Sequence, residues 1–155
     1  MTIEEFAAIE AIKTMKARYC RYVDTRDWDN YANLFTEDGT IVMDRGLFDS
    51  AEPIEPFRMT GREAIRRSTP GGLSDGQTIH HVTMPEITLT SPTTATGIWA
   101  LYDLFHSRDY HFEGCGYYHE TYVLEAGEWR ISSLHLKWIH TRNTNFGATG
   151  RAERM

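Results

Sequence analysis

Hydrophobic and polar residues near the N-terminus follow the period of a helix. Met15, Tyr19 and Val23 recur at intervals of three to four residues with their apolar neighbours, as expected for one face of an amphipathic α-helix. Thr2 and Glu5 have the spacing of a capping box, in which each residue satisfies a free backbone N–H at the start of a helix. The pattern therefore predicts a long first helix with one face turned towards a core.

The segment after this helix mixes short periodic stretches with turn signals. WDNYANLF predicts a second, short helix, and TIVMD predicts a strand. Residues 45–60 contain one glycine and two prolines without a clear period, so we expect a loop or lid there. GREAIRRS predicts a further short helix that ends at TPGG.

From residue 77 onward the pattern is rich in β-forming residues. Four stretches containing Thr, Val, Ile, Tyr and Trp follow one another, separated by turn residues: QTIHHVTMPEITLT, TTATGIWALYDLFHS, CGYYHETYVLEAG and EWRISSLHLKWIHT. Long consecutive strands predict an antiparallel meander. Helices followed by such a sheet predict an α+β fold, a cone-shaped roll in which a curved antiparallel sheet wraps around the first helix and encloses a cavity.

The composition is that of a single globular domain. The chain has 155 residues, 41% of them hydrophobic, and no repeat or linker divides it. We expect one domain over residues 1–142 and a C-terminal tail over residues 143–155. The acidic N-terminal segment lacks the features of a signal peptide, and no stretch has the length of a membrane span, so we expect a cytoplasmic protein.

Charge and motif content exclude several classes of function. The formal net charge is -6, whereas nucleic-acid binding requires a basic patch. Cys20 and Cys115 are far apart in sequence, and the histidines beyond residue 100 lack the tight spacing of metal ligands. There is no glycine-rich phosphate loop, dinucleotide fingerprint or GxSxG elbow. We therefore expect neither a metal site nor a nucleotide cofactor.

Two carboxylates occupy unusual positions. Asp24 lies at the C-terminal end of the first predicted helix, where the helix dipole disfavours an anion, although it could also be a solvated residue of the DTRD turn. Asp103 alternates with Trp99, Leu101 and Phe105 in one strand. If that face is buried, Asp103 needs a partner, a proton or a wet pocket. The alternative is that this face is the solvated one.

Two adjacent histidines lie in the predicted strand GQTIHHVTMPEITL. Neighbouring residues of a strand point to opposite faces, so one of His80 and His81 faces the core or cavity and the other does not. Alternation alone does not decide between them, because Pro85 interrupts the strand. A histidine in a strand is also more often a structural residue than a catalyst.

The chain resembles the SnoaL-like branch of the nuclear transport factor 2-like superfamily. The resemblance rests on IEAIKTMKARYCRYVDTRDWDNYANLF, IHHVTMPEITL, TATGIWALYDLF and GEWRISSLHLKWI, and it covers nearly the whole chain. Within that branch the chain is similar to bile acid 7α-dehydratase and, more distantly, to scytalone dehydratase and hexachlorocyclohexane dehydrochlorinase. The resemblance implies a cone-shaped α+β fold, a homotrimer and an enzyme that needs no cofactor.

The resemblance also implies the site residues. The family has an aspartate at the end of the first helix and a tyrosine five residues before it, which correspond to Asp24 and Tyr19. Its catalytic histidine precedes PEIT and corresponds to His80, so that His81 packs on the other side of the sheet. A second pocket carboxylate corresponds to Asp103.

These residues together predict a lyase that eliminates water from a small hydroxylated cyclic substrate, such as a steroid-like, polyketide or alicyclic compound. His80 is the predicted base and Asp24 its orienting partner, while Tyr19 and Asp103 would assist the enolate or the leaving hydroxyl. An isomerase or cyclase with the same dyad is the nearest alternative. A non-catalytic binding or assembly subunit, a type that the superfamily also contains, is the other.

Overall fold

The computed structural model describes residues 1–45, 54–73 and 75–146. Within those ranges the chain forms three helices and six strands. In chain order they are α1 (Ile3–Asp24), α2 (Trp28–Asn33), β1 (Phe35–Arg45), β2 (Ile54–Thr60), α3 (Arg62–Gly72), β3 (Gly76–Ser91), β4 (Thr94–Ser107), β5 (Tyr110–Glu125) and β6 (Glu128–Asn145). The strands form one open sheet in the order β2-β1-β6-β5-β4-β3. The predicted α+β fold is confirmed. None of the helices in the described ranges has the length and apolarity to cross a membrane.

Helix α1 begins as its sequence predicts. The Glu5 N–H donates to Thr2 Oγ1 over 3.1 Å, and the Thr2 N–H donates to Glu5 Oε2 over 2.7 Å, which completes the capping box. Ile12, Tyr19 and Val23 are buried and belong to the core between α1 and the sheet. The apolar face of α1 therefore packs into the core as its period predicts. Asp24, the last residue of the helix, lies at the edge of the core.

Strands β3 to β6 form the predicted antiparallel meander, but the sheet is not antiparallel throughout. Each of β3, β4, β5 and β6 pairs antiparallel with its neighbour in sequence. Strand β1 pairs parallel with β6 and antiparallel with β2. A parallel pair requires a long crossover, which β2, α3 and strands β3 to β5 supply here.

A bulge in β3 explains why alternation alone did not distinguish the two histidines. The register with β4 shifts between Thr83 and Glu86, and Met84 has a left-handed φ of 47°. Ile87 and Leu89 after the bulge pack against the same core as Val82 before it. Because the bulge moves the alternation by one residue, His80 and Ile87 share the inner face although their numbers differ by an odd count.

The prediction of a loop over residues 45–60 is wrong for its second half. Strand β2, Ile54–Thr60, pairs with β1. Its Met59 is only 6% exposed and belongs to the core. Pro56 is compatible with this strand because β2 is an edge of the sheet. Residues 46–53, which belong to the predicted loop or lid, lie outside the described residues.

Helix α3 is longer than the helix predicted at GREAIRRS, whereas the bounds of the domain and of its tail stay predictions. Helix α3 runs through the TPGG stretch to Gly72, with Pro70 in its last turn. Strand β6 continues to Asn145, beyond the boundary expected at residue 142. Residues 147–155, most of the predicted tail, lie outside the described residues.

Gly116 in β5 is required by a close approach of the backbone. A Cβ built on Gly116 would overlap the carbonyl oxygen of Lys137 in the paired strand β6. The obstacle is backbone, so Gly116→Ala should lower the free energy of unfolding by about 1–3 kcal/mol. Urea unfolding monitored by circular dichroism measures this change.

Gly71→Ala provides a matched control for this substitution. A Cβ at Gly71 in α3 would meet no atom within 4 Å, and alanine is favoured over glycine in a helix by up to about 1 kcal/mol. We expect Gly71→Ala to leave the free energy of unfolding unchanged or to raise it. Equal values for the two variants would contradict the close approach at Gly116.

Candidate active site

The carboxylate of Asp24 joins the end of α1 to strand β3. Its Oδ1 accepts hydrogen bonds from His80 Nδ1 over 2.7 Å and from Thr78 Oγ1 over 2.9 Å. Its Oδ2 accepts from the backbone N–H of His80 over 3.0 Å. Burial alone would raise the pKa of Asp24, but the hydrogen bonds from His80 and Thr78 hold the pKa below its ordinary value. Asp24 is therefore an anion with a fixed orientation and not a solvated turn residue.

Sequence reasoning missed Thr78. This residue is 5% exposed and lies two positions before His80 on the same face of β3. The period of a strand places residues i and i+2 together, so a polar residue at this spacing was the available signal.

The hydrogen bond to Asp24 determines which nitrogen of His80 is free. A carboxylate only accepts hydrogen bonds, so Nδ1 carries the hydrogen and Nε2 of the neutral ring holds a lone pair. The His80 side chain is 8% exposed, and its Nε2 lies 3.5 Å from Asp103 Oδ1. His81 is exposed on the opposite face of the sheet, where its ring stacks on Tyr102 with a centroid distance of 6.4 Å.

Asp103 lies directly opposite His80 in the β3–β4 register. Its Oδ1 is buried and has no hydrogen-bond partner among the residues that the structure describes. Burial raises the pKa of the Asp103 carboxyl, and the nearby charge of Asp24 adds to this effect, although His80 opposes it. The two carboxylates beside His80 thus have opposite protonation tendencies, with Asp24 ionised and Asp103 inclined to keep its proton.

Tyr19 is a buried residue of α1 that packs against His80. It is 2% exposed, and its ring meets the His80 ring edge-on at a centroid distance of 6.4 Å. Its ring also meets the rings of Tyr31 and Tyr118 edge-on, at centroid distances of 5.1 and 5.8 Å, and burial raises the pKa of Tyr19 well above its ordinary value. Tyr31 and Tyr118 come from α2 and β5, so no local sequence pattern connects them with Tyr19. All three groups are neutral phenols.

An aromatic wall flanks Asp103 on the side of β5 and β6. Gly114 is the β5 partner of Asp103 and carries no side chain, and the Trp138 ring covers it so closely that a Cβ there would overlap the ring. Trp138 in turn packs edge-on against Phe112 with a centroid distance of 5.3 Å. Asp103 therefore lies between flat apolar rings and His80, an arrangement that suits a hydroxylated ring.

Other groups lie away from this row. A cavity of about 650 Å³ runs along another face of α1 beside α2 and contains none of the predicted site residues. Burial raises the pKa of the Cys20 thiol to about 11, and Cys115 is exposed. Within the described ranges no three His, Cys, Asp or Glu side chains converge in an arrangement that could hold a metal ion.

Comparisons with known proteins agree with the fold. The family model of the SnoaL-like domain matches residues 4–135. A probable cyclase from Gibberella zeae is 26% identical over 142 residues, which are 88% of this chain and 93% of that protein. The structure of a scytalone dehydratase-like protein from Novosphingobium aromaticivorans superposes with a TM-score of 0.80 at 23% identity, over 92% of this chain and 91% of the other. A hexachlorocyclohexane dehydrochlorinase from Novosphingobium barchaimii gives a TM-score of 0.73 at 16% identity, over 92% and 93% of the two chains.

The structural similarities have low sequence identity and concern the fold, whereas the family model covers most of the chain. The proteins compared bear the names of a cyclase, a dehydratase and a dehydrochlorinase, so lyase- and isomerase-type enzymes occur among its relatives. The resemblance to the SnoaL-like branch is confirmed, and this chain belongs to the SnoaL-like domain family within the nuclear transport factor 2-like superfamily.

Proposed function

We propose that this protein is a cofactor-independent dehydratase that eliminates water from a hydroxylated cyclic substrate. The observation that carries the proposal is the row Asp24–His80–Asp103. In this row one imidazole has an ionised carboxylate on Nδ1, and its other nitrogen faces Asp103, whose buried Oδ1 has no hydrogen-bond partner in the described chain. A base and an acid side by side are the two groups that an elimination requires.

His80 is the proposed base. Its neutral Nε2 takes a proton from the carbon beside a carbonyl group, and the C–H electron pair forms an enolate and then the new C=C bond. Asp24 holds the ring in the required tautomer and stabilises the imidazolium that forms. Tyr19, whose ring meets the His80 ring edge-on, is the proposed source of a hydrogen bond to the enolate oxygen.

Asp103 is the proposed acid. Its raised pKa widens the pH range in which the carboxyl holds a proton, and this proton passes to the departing hydroxyl as the C–O bond breaks, so that water leaves. The reaction then leaves a carboxylate at Asp103 beside an imidazolium at His80. Because Oδ1 and Nε2 are 3.5 Å apart, His80 can return the proton to Asp103 and both groups regain their starting states.

The same row supports a second candidate, an isomerase or cyclase. Each of these reactions also begins with proton abstraction beside a carbonyl, and one relative is named a probable cyclase. A mass-spectrometric screen of hydroxylated 3-oxo steroids, steroid thioesters and aromatic polyketide alcohols separates the candidates. Loss of one water supports the dehydratase, an isomeric product supports the alternative, and a panel left unchanged argues against both.

The distance between base and acid predicts the stereochemistry of elimination. Two groups only 3.5 Å apart cannot lie on opposite faces of one ring, so the proton and the hydroxyl should leave from the same face of the substrate. A substrate deuterated on the face of its hydroxyl should therefore lose the label, and the epimer deuterated on the opposite face should keep it. Mass spectrometry of the two products makes the measurement, and the reverse pattern would contradict the assigned pair.

The homotrimer and the cytoplasmic location stay predictions. Ile79, Tyr102 and Tyr117 are exposed on the outer face of the sheet, which supports self-association through that face. The mass of the assembly in solution, measured by light scattering, decides between a monomer and an oligomer.

A further inference from the structure

Lys16 and Glu120 form an ion pair that is completely shielded from solvent. Both side chains are 0% exposed, and Lys16 Nζ lies 2.5 Å from Glu120 Oε1. The other carboxylate oxygen accepts a hydrogen bond from the Tyr122 hydroxyl over 2.5 Å, and Trp99 Nε1 donates to that hydroxyl over 2.8 Å. The pair therefore joins α1 to β5 and β4 in the centre of the core, with both oxygens of Glu120 engaged.

The ammonium group of Lys16 also lies on the faces of two of the three tyrosine rings that pack together. Its Nζ is 3.9 Å from the centroid of the Tyr19 ring and 3.6 Å from that of the Tyr118 ring. An ammonium has three hydrogens, which one carboxylate and two ring faces can occupy. The cation thus lies between the two rings, on the face of each.

Stability alone does not account for this arrangement. A buried ion pair loses the hydration of two charges, and well-packed apolar residues in its place are often equally stable or more so. An apolar residue at position 16 would fill the space but would not attract the ring faces. The feature that depends on the charge is the orientation of Tyr19 and Tyr118.

We propose that Lys16, held by Glu120, is a positioning residue that keeps the Tyr19 ring edge-on against His80 and the Tyr118 ring beside it. The ammonium acts through the two phenols, because its complete burial prevents contact with a substrate. Its effect on turnover rests on the proposed function, but its effect on the rings does not. The orientation of the His80 ring and of the two tyrosines would then depend on the charge of Lys16, which lies one helical turn before Tyr19.

The test uses the double variant Lys16→Met/Glu120→Gln. Removing both charges leaves no buried ion without a partner, and the glutamine Oε1 can still accept from Tyr122. Lys16→Met alone leaves the buried Glu120 carboxylate without its cation and should lower the Tm by roughly 10 °C. Lys13→Met is the matched control, since Lys13 pairs with Glu10 over 2.7 Å on the same helix, with side chains 44% and 47% exposed.

Three readouts distinguish positioning from a merely structural role. The double variant should keep a Tm within roughly 5 °C of the wild type. Its Tyr19 and Tyr118 rings should flip faster in NMR spectra, and the ring-proton signals of His80 should shift because the Tyr19 edge moves. With an identified substrate, kcat should fall about tenfold or more while KM changes little. Lys13→Met should match the wild type in every readout.

A folded double variant with unchanged tyrosine and histidine spectra would overturn the proposal, whatever its turnover. If the double variant does not fold, the wild-type protein decides: held rings give separate NMR signals for their two edges, and fully averaged signals would overturn the proposal. Absence of turnover in the wild type would count against the proposed function alone, because the spectra test the positioning independently.

Discussion

His80→Ala is expected to lower kcat/KM of the dehydration by about 10³-fold or more while leaving the fold intact. The substitution removes the nitrogen that takes the substrate proton, and no other histidine in the described chain adjoins Asp24 or Asp103. Asp24→Asn should have an effect of similar size, about 10³–10⁴-fold, for a different reason. An amide NH₂ in place of Oδ1 would donate to Nδ1, so the ring hydrogen would move to Nε2 and the base would lose its lone pair.

The adjacent histidine supplies the control for these two variants. His81 is exposed on the outer face and stacks on Tyr102, so His81→Ala should retain wild-type turnover. Initial rates with the substrate found in the screen, together with thermal unfolding curves, give the comparison. Activity that survives in both His80→Ala and Asp24→Asn, or a loss in His81→Ala equal to that in His80→Ala, would disprove the assigned dyad.

Asp103→Asn is expected to lower kcat by about 10²–10⁴-fold and to change the pH dependence. In the wild type the carboxyl must be protonated to serve as the acid, so turnover should fall as the pH rises through the raised pKa of Asp103. An asparagine can donate a hydrogen bond but no proton. The alkaline decline assigned to Asp103 should therefore be absent from the residual activity of the variant.

The pH dependence of the free energy of unfolding tests the raised pKa of Asp103 without a substrate. A carboxyl whose pKa is higher in the folded protein than in the unfolded chain binds its proton more tightly in the folded state. It therefore stabilises the fold below its ordinary pKa, and this contribution is lost as the pH rises through the raised value. Urea unfolding at a series of pH values should show Asp103→Asn gaining stability relative to the wild type as the pH increases. Asp109→Asn, at an exposed position, serves as the control. A pH dependence of Asp103→Asn equal to that of the wild type would contradict the raised pKa of Asp103.

Features within a few residues of one another were predictable from the sequence. The capping box of Thr2 and Glu5 and the apolar period of α1 gave the first helix, because both depend on contacts within one or two turns. The succession of β3 to β6 was predictable for the same reason, since turns between neighbouring strands make an antiparallel meander. Strand β2 was missed because it exists only through its pairing with β1.

The identity of the inward histidine needed information from outside the strand. The bulge at Met84 shifts the alternation, so the apolar residues on the two sides of it favour different histidines. The family resemblance predicted His80, and the structure places its ring between Asp24 and Asp103. Asp24 is 56 positions away in sequence, and no periodic pattern extends over such a distance.

The sequence by itself determined the helices and meander of this protein, because caps, turns and periods act through short-range sterics and hydrogen bonds. It also supplied the separate candidate site residues, through their likeness to a family. Only the tertiary structure decided how these residues meet: the row of His80 and two carboxylates with opposite pKa shifts, the three tyrosine rings packed together, and the Lys16–Glu120 pair, whose members are 104 positions apart. Packing α1 into the curved sheet creates these contacts, because burial brings distant polar groups together and requires each to find a partner or a proton.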